Sequence, residues 1–259
     1  HYIVIALLFA VGIPICKRTG EALGVPDHSS MVWDEIVAFM LVLEFTQFAW
    51  EWWLAAFLLF YMPDLLRDGM FSDGLLYATI ANNLAHGIGS FWIPQIFTGA
   101  PGFHGHPPLV FGIQSIFFRL LGDGMWVERV YCFLTIILTA HLILSIWRYL
   151  FKETVYQNFG WFPIFLWLIH EDVFLSFRNN LLECTMSIFL LAAVRLWLPI
   201  IREKLSSLEN LCRLALGGLL IGMAILSKGP PGLFPLVFFV LAWLFIKNFT
   251  FEKALAYSA

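Results

Sequence analysis

Charged side chains are scarce in this chain. Asp, Glu, Lys and Arg make up only 13% of its 259 residues, whereas soluble domains carry about a quarter. The net charge is -3, and no basic run could track a phosphate backbone, so we expect no nucleic-acid partner. Hydrophobic residues make up 60% of the chain and the mean hydropathy is +0.82. Several apolar runs approach or exceed the roughly 18 residues that cross a bilayer, which predicts a multi-pass protein surrounded by membrane lipids.

Paired cysteines are also lacking. The chain has four cysteines, and no two of them form a CxxC motif. Most lie in or beside apolar runs, where a thiol most simply acts as a small buried hydrophobic group. The sequence therefore predicts neither a disulfide framework nor a cysteine-based metal site. The four are Cys16, Cys132, Cys184 and Cys212.

The apolar runs predict the fold class, an all-α polytopic membrane helix bundle of about six to seven transmembrane helices. A shorter run, 107–121, contains Gln114 and Arg119 and lies between Pro-Pro and Gly-Asp-Gly. We interpret it as a re-entrant or interfacial helix in the first extracytoplasmic loop. The predicted membrane segments are 3–16, 36–62, 127–150, 159–175, 184–201, 212–227 and 232–246.

The distribution of basic residues predicts the orientation. If 107–121 stays on one side, most Lys and Arg residues fall on the same face, which the positive-inside rule makes cytoplasmic. The opposite face, outside the cell or in the periplasm, then holds most of the polar chemistry. We expect a cell (inner) membrane location with the site facing outward. The residues on the cytoplasmic face are Lys17, Arg18, Arg148, Lys152, Arg202, Lys204, Arg213, Lys247 and Lys253.

Two features of the N-terminal part stand apart. Residues 1–35 contain a short apolar helix and match no motif, so they remain unassigned, and we assign 36–259 to a single transmembrane region. Within 36–62, Glu44, Gln47 and Glu51 share one helix face. Carboxylates inside a bilayer are costly, so this stripe either faces the bundle or lines an ion path.

The first outer segment carries candidate chemistry. Residues 73–86 form an amphipathic pattern that ends at Gly87, with Asp73 at its start, as a helix cap or as a catalytic carboxylate. A loop rich in Gly and Pro follows and contains His104 and His106. Two histidines at this spacing could ligate a metal, but hydrogen-bonded loop histidines are the simpler interpretation.

Four segments carry recognisable motifs: 71–78 (FSDGLLYA), 106–109 (HPPL), 179–183 (NNLLE) and 226–235 (LSKGPPGLFP). Together, in order and approximate spacing, they resemble the GT-C type polyprenyl-phosphate-sugar glycosyltransferases, and in particular the bacterial aminoarabinose transferase and protein mannosyltransferase group. The resemblance covers roughly residues 60–250. It implies a GT-C-like catalytic region in 36–259 that is truncated after Lys253.

The resemblance implies roles for particular residues. Asp73 matches the catalytic Asp and Glu183 a second acidic position, while Lys228 matches the Lys of a Lys-Gly-Pro motif. Many members have Glu at the positions of Gly74 and Gly105, so a divalent metal is possible here but no cofactor is certain. We expect Lys228, Arg178 and His106 to bind the donor phosphate, and Tyr77, His104, Pro107 and Pro108 to line the substrate pocket.

The implied reaction is transfer of a sugar from a polyprenyl-phosphate carrier to a hydroxyl of a lipid, glycan or protein, with inversion and with Asp73 as general base. Two alternatives stay open. The chain could be a transporter or channel that uses Glu44 and Glu51, or a non-catalytic membrane subunit.

Overall fold

A computed structural model describes residues 2–23, 37, 69–203 and 206–245 of this chain. The chain divides into two compact units, 1–67 and 68–259. The described parts are almost entirely helical, which confirms the all-α fold class. The predicted segment 36–62, including Glu44, Gln47 and Glu51, lies outside the described residues apart from residue 37.

The first unit contains helix α1, Tyr2–Leu23. The predicted segment ended at residue 16, but the helix continues through Lys17 and Arg18 to Leu23, about two turns further. Most of its apolar side chains are exposed within the unit, as membrane-facing side chains would be.

The second unit begins with two short helices joined by a hairpin. Helix α2, Ser72–Ala85, ends before Gly87, whose φ of 77° only glycine adopts without strain. Two antiparallel strands follow, β1 (Gly89–Ser90) and β2 (Ile93–Pro94). Helix α3, Leu109–Leu121, spans about 20 Å, which is too short to cross a bilayer. The short helices predicted for this segment are confirmed.

Three helices in the described part are long and apolar enough to cross a membrane: α4 (Val127–Leu150), α7 (Leu182–Arg202) and α8 (Ser207–Lys228). Helices α4 and α7 run in the same direction, because Tyr131 contacts Thr185 near their starts and Tyr149 donates to Glu203 near their ends. Helix α8 runs antiparallel to α7, since the Arg213 guanidinium reaches Leu196 O. The chain is a membrane protein.

The segment between α4 and α7 corrects one prediction. Residues 159–175 do not form one span, because α5 (Trp161–Leu168) and α6 (Glu171–Arg178) are separate helices. His170 is extended (φ -72°, ψ 126°) between them. Two acidic residues, Glu171 and Asp172, occupy the first turn of α6, where a helix N-terminus favours negative charge. The chain returns to the start of α4 through this broken pair.

The last described elements close the bundle. Helix α8 begins with a capping box in which Ser206 and Glu209 satisfy each other's backbone N–H groups. After Lys228 a 3-10 segment, Pro230–Leu236, leads into α9, Val237–Phe245. Their apolar side chains pack with those of α7 and α8 around buried Trp197, Ile221 and Phe239.

Candidate active site

The site lies at the end of the bundle where α4 and α7 begin and α8 ends. Helices α2 and α3 pack together there and contribute buried Tyr77, Ile80 and Phe111 to one core cluster. Leu182, at the start of α7, joins the same cluster. The motif-bearing segments are therefore held close together by apolar packing, while their polar side chains remain available at its edge.

Asp73 lies in the first turn of α2 and is exposed. The interpretation of Asp73 as an N-cap is wrong, because Phe71 occupies the N-cap position and no side chain caps the helix. A carboxylate in the first turn is still favoured by the helix dipole. The exposed carboxylate of Asp73 is therefore accessible to a bound group.

Tyr77 lies one helical turn after Asp73 and is buried. Its ring meets His106 edge to face at 5.6 Å between centroids. Burial first, and then the negative charge of Asp73, raise the pKa of Tyr77 to about 12. The phenol therefore stays protonated at neutral pH and can donate a hydrogen bond.

The His106 side chain is influenced by both a positive and a negative side chain of the site. Burial, followed by the positive charge of Lys228, lowers the pKa of His106, while the charge of Asp73 acts in the opposite direction. The three side chains are therefore close enough to affect one another electrostatically. Because its pKa is lowered, His106 is mainly neutral at pH 7 and presents a dipole instead of a full positive charge.

Lys228 is the last residue of α8, which Gly229 ends with a φ of 93°. Its ammonium forms an ion pair with Glu183, in the first turn of α7. Both side chains are partly buried, with relative exposures of 26% and 35%. Sequence reasoning assigned the two residues separately and did not find this pair, because only the antiparallel packing of α7 and α8 brings them together.

A cleft of about 380 Å³ opens beside these groups. It brings together His106 and Lys228, two of the predicted phosphate-binding residues, with His104, Pro107 and Pro108, three of the predicted pocket residues. Tyr77 packs behind His106 and Glu183 behind Lys228. The lining residues are Trp92, Pro94, Phe103, His104, Gly105, His106, Pro107, Pro108, Lys228, Gly229 and Pro230.

Arg178, the third predicted phosphate ligand, has a different setting. Its guanidinium stacks over the ring of Phe174, 4.6 Å from the centroid, and its carbonyl accepts a hydrogen bond from Arg129. It is not among the residues that line the cleft. Its predicted role therefore gains no support from the geometry.

Within the described residues, no three His, Cys, Asp or Glu side chains cluster as metal ligands. At Gly105 a Cβ would lie 2.8 Å from the Phe103 ring. That ring packs near His106, with 6.4 Å between centroids. Glycine at position 105 therefore leaves room for the Phe103 ring beside His106.

Sequence reasoning missed the roles of Gln114, Asn179 and Asn180. The side chain of Asn179 accepts a hydrogen bond from Phe71 N at 2.8 Å, and the amides of Asn180 and Gln114 bond to each other. A signal was available, because two adjacent asparagines before a predicted helix often adopt turn conformations and bond to backbone. Asn180 has a φ of 55°.

Two family profiles match this chain. Residues 105–259 match the family described as dolichyl-phosphate-mannose-protein mannosyltransferase. Residues 1–73 match the family described as phosphatidylglycerophosphatase A. Phosphatidylglycerophosphatase A of Haemophilus influenzae is 44% identical over 63 residues, which are 24% of this chain and 39% of that protein. The protein of that name from Escherichia coli K12 is 26% identical over 107 residues, 36% of this chain and 62% of the relative.

Two solved structures share the fold of most of the chain. Both are of ArnT from Cupriavidus metallidurans. The apo structure aligns with a TM-score of 0.63 at 19% identity and covers 78% of this chain and 37% of ArnT. The structure bound to undecaprenyl phosphate aligns with a TM-score of 0.60 at 17% identity and covers 81% and 40%. The chain thus spans about two fifths of the solved structures that it resembles.

Proposed function

This chain belongs to the dolichyl-phosphate-mannose-protein mannosyltransferase family, and on that premise we propose that it is a membrane glycosyltransferase. Its donor is a sugar linked to a polyprenyl phosphate, and its acceptor is a hydroxyl of a lipid, glycan or protein on the outer face of the membrane. Support for the donor class comes from the shared fold with an ArnT structure that holds undecaprenyl phosphate. The cleft lined by His106 and Lys228, together with the charge of Asp73 that acts on both of these side chains, is the observation that carries the proposal.

The reaction is a single displacement at the anomeric carbon. Asp73 takes the proton of the acceptor hydroxyl as its oxygen bonds to that carbon. The bond from the anomeric carbon to the phosphate oxygen breaks, and its electron pair leaves with the polyprenyl phosphate. One displacement inverts the configuration and needs no covalent sugar–enzyme intermediate. The exposed carboxylate of Asp73 leaves room for an acceptor.

The leaving phosphate needs positive charge and hydrogen-bond donors. Lys228 supplies the charge at the cleft, where it acts as a point cation. Neutral His106 can donate one hydrogen bond to a phosphate oxygen or hold a hydroxyl of the sugar. Glu183 pairs with Lys228 before the donor arrives, and once released it can stabilise an oxocarbenium-like transition state.

Asp73→Asn tests the assignment of the base. We expect kcat to fall about 100-fold or more, because the amide cannot take the acceptor's proton. The assay follows consumption of a radiolabelled polyprenyl-phosphate sugar by the reconstituted chain, and insertion and donor binding should not change. Asp123→Asn is the matched control, since Asp123 is exposed and pairs with His86 away from the cleft. Full activity in Asp73→Asn would rule out the assignment.

A second candidate function rests on the similarity of residues 1–73 to phosphatidylglycerophosphatase A. We propose that the first unit derives from such a protein and acts on a lipid phosphate monoester. The test measures phosphate release from phosphatidylglycerophosphate in vesicles by the Asp73→Asn chain. Release that persists in this variant supports a separate activity in the first unit, and no release in either the native chain or the variant removes the candidate.

A further inference from the structure

We infer that Asn179, Asn180 and Gln114 are positioning residues that hold the first turn of α2 against the start of α7, and so set the position of Asp73 relative to Lys228. The inference rests on the proposed glycosyl transfer and adds to it residues that do not touch the substrate.

Hydrogen bonds tie the backbone around Asp73 to the segment before α7. Phe71 N donates to the Asn179 side-chain oxygen at 2.8 Å, and the Asn180 amide reaches Gly74 O at 3.4 Å. The Arg129 guanidinium bridges the same two segments, because it donates to Gly69 O and, at 2.7 Å, to Arg178 O. The two residues that flank Ser72 and Asp73 are therefore both held from the same side.

Asn180 is itself fixed by a buried partner. Gln114 Nε2 donates to Asn180 Oδ1 at 2.7 Å, and Asn180 Nδ2 donates back to Gln114 Oε1 at 3.1 Å. Both residues are only 1% exposed. Buried polar groups cost free energy unless they are paired, and their directional bonds then specify one arrangement. An apolar pair of similar size would fill the space without fixing this orientation.

The backbones also touch. A Cβ at Gly74 would lie 1.9 Å from Asn179 O, so glycine allows α2 to approach this closely. Asn180 has a φ of 55°, a conformation that asparagine tolerates better than most residues. Any side chain at position 74 would therefore push the Asp73 turn away from the start of α7.

The two segments lead directly to the reacting groups. Glu183 follows Asn180 by three residues and forms the ion pair with Lys228. A fixed contact between the two segments therefore fixes the separation of the proposed base from the proposed phosphate site. Reactions between positioned groups are sensitive to small displacements, and a shift of about 1 Å can cost about 100-fold in rate.

The experiment compares three variants of the reconstituted chain. Asn180→Gly keeps the left-handed backbone and removes the amide, whereas Asn179→Leu removes the acceptor for Phe71 N. Asn179→Asp keeps that acceptor but removes the amide that donates to Leu175 O at 2.8 Å, so it separates the two hydrogen bonds of this side chain. Ser115→Ala is the control, because Ser115 is buried beside Gln114 but bonds only to Gly112 O within its own helix. The measurements are kcat, KM for the polyprenyl-phosphate sugar, and hydrogen exchange of the amides of residues 71–75.

We expect Asn180→Gly and Asn179→Leu to lower kcat about tenfold or more while KM for the donor stays within about threefold, because the reacting groups are misplaced but the phosphate site is retained. Exchange at residues 71–75 should accelerate in both variants. Asn179→Asp should lose less kcat than Asn179→Leu, because it keeps the acceptor for Phe71 N, and Ser115→Ala should match the native chain.

Three outcomes would overturn the inference: native kcat in both Asn180→Gly and Asn179→Leu, equal losses in Asn179→Asp and Asn179→Leu, or parallel losses of kcat and folded protein in every variant. If the native chain transfers no sugar, the proposed function fails instead. The exchange measurement then still decides whether the amides hold the first turn of α2.

Discussion

At the residue scale, Glu183 neutralises Lys228 at the edge of the cleft, where the proposed donor phosphate would need the same ammonium. The pair keeps a partly buried cation from standing without a counterion. A phosphate that binds Lys228 must displace the carboxylate or share the ammonium with it. The free energy of donor binding therefore depends on how much more strongly Lys228 interacts with the phosphate than with Glu183.

Glu183→Gln tests this competition. We expect the affinity for polyprenyl phosphate to rise about threefold to tenfold, because the neutral amide competes less well for the ammonium. Titration of the detergent-solubilised chain with polyprenyl phosphate measures the change. Glu153→Gln is the control, since Glu153 is exposed and pairs with Lys152 at the other end of α4. Weaker binding in Glu183→Gln would show that the carboxylate holds Lys228 in place.

At this scale, some features of the site could be predicted from the sequence and others could not. Motif order selected His106 and Lys228, which line one cleft, and Asp73, whose charge acts on His106; the roles of these residues stay predictions. Motif order could not show that Glu183 and Lys228 form an ion pair, nor that the backbone before α7 lies against Gly74. Both depend on which backbones approach each other, and that information is held in packing between segments far apart in sequence.

At the element scale, one large and one small residue meet where α7 packs against α8. A Cβ at Gly217 would lie 2.0 Å from the Trp197 ring nitrogen. Trp197 packs against Phe239 of α9, with 4.9 Å between ring centroids. The indole therefore fills the space that glycine leaves and connects three helices.

Gly217→Ala should destabilise the bundle by about 1–3 kcal/mol, because the indole must move out of a filled core. Thermal unfolding in detergent, compared with the native chain, measures the loss. Gly218→Ala is the matched control in the same helix, since no atom lies within 4 Å of its Cβ position. It should be neutral or gain up to about 1 kcal/mol from helix propensity. Equal stability of the two variants would contradict the described packing.

Helix existence was easier to predict than helix continuity. The pattern from Asp73 to Gly87 predicted α2 closely, because amphipathic spacing and a terminal glycine act locally. The segment 159–175 was wrong as a single span, because hydropathy averages over the break at His170. The charges of Glu171 and Asp172 were the signal that a new helix begins there.

At the scale of the whole molecule, the shared direction of α4 and α7 determines which loops lie on the same side of the membrane. The loop before α4 and the cleft belong to one side, and the loop after α4 belongs to the other. The basic residues at the ends of α4 and α7, Arg148 and Arg202, lie on the side away from the cleft. This agrees with the predicted outward orientation, which remains a proposal.

Thiol labelling tests the orientation. In a chain with Cys16→Ser and Cys212→Ser, we expect Asp123→Cys to react with a membrane-impermeant maleimide in intact cells. Val155→Cys, on the opposite side and 77% exposed, should react only after the membrane is permeabilised. The remaining Cys132 and Cys184 are 1% and 2% exposed and serve as the unlabelled background. Labelling in the reverse order would place the cleft in the cytoplasm.

The domain division is a further proposal at this scale. The sequence suggested a boundary after residue 35, whereas the first compact unit of the structure ends at Arg67. The phosphatidylglycerophosphatase A profile ends at residue 73, in the first turn of α2. Asp73, the residue proposed as base, is therefore the last residue of that match, and the mannosyltransferase match begins only at residue 105.

Two hydrogen bonds hold the turn that contains Asp73 against the segment before α7. Their partners are separated by 108 and by 106 positions in the chain. A ribosome adds about 5–20 residues per second, so about 5–20 s pass between synthesis of the first partner and the second. During this interval α4 must enter the membrane, and α5 and α6 must bring the chain back, before the asparagines arrive. The Asp73 carboxylate is thus synthesised early but is held in place late. A nascent chain interrupted before residue 180 would carry the proposed base without the contacts that position it.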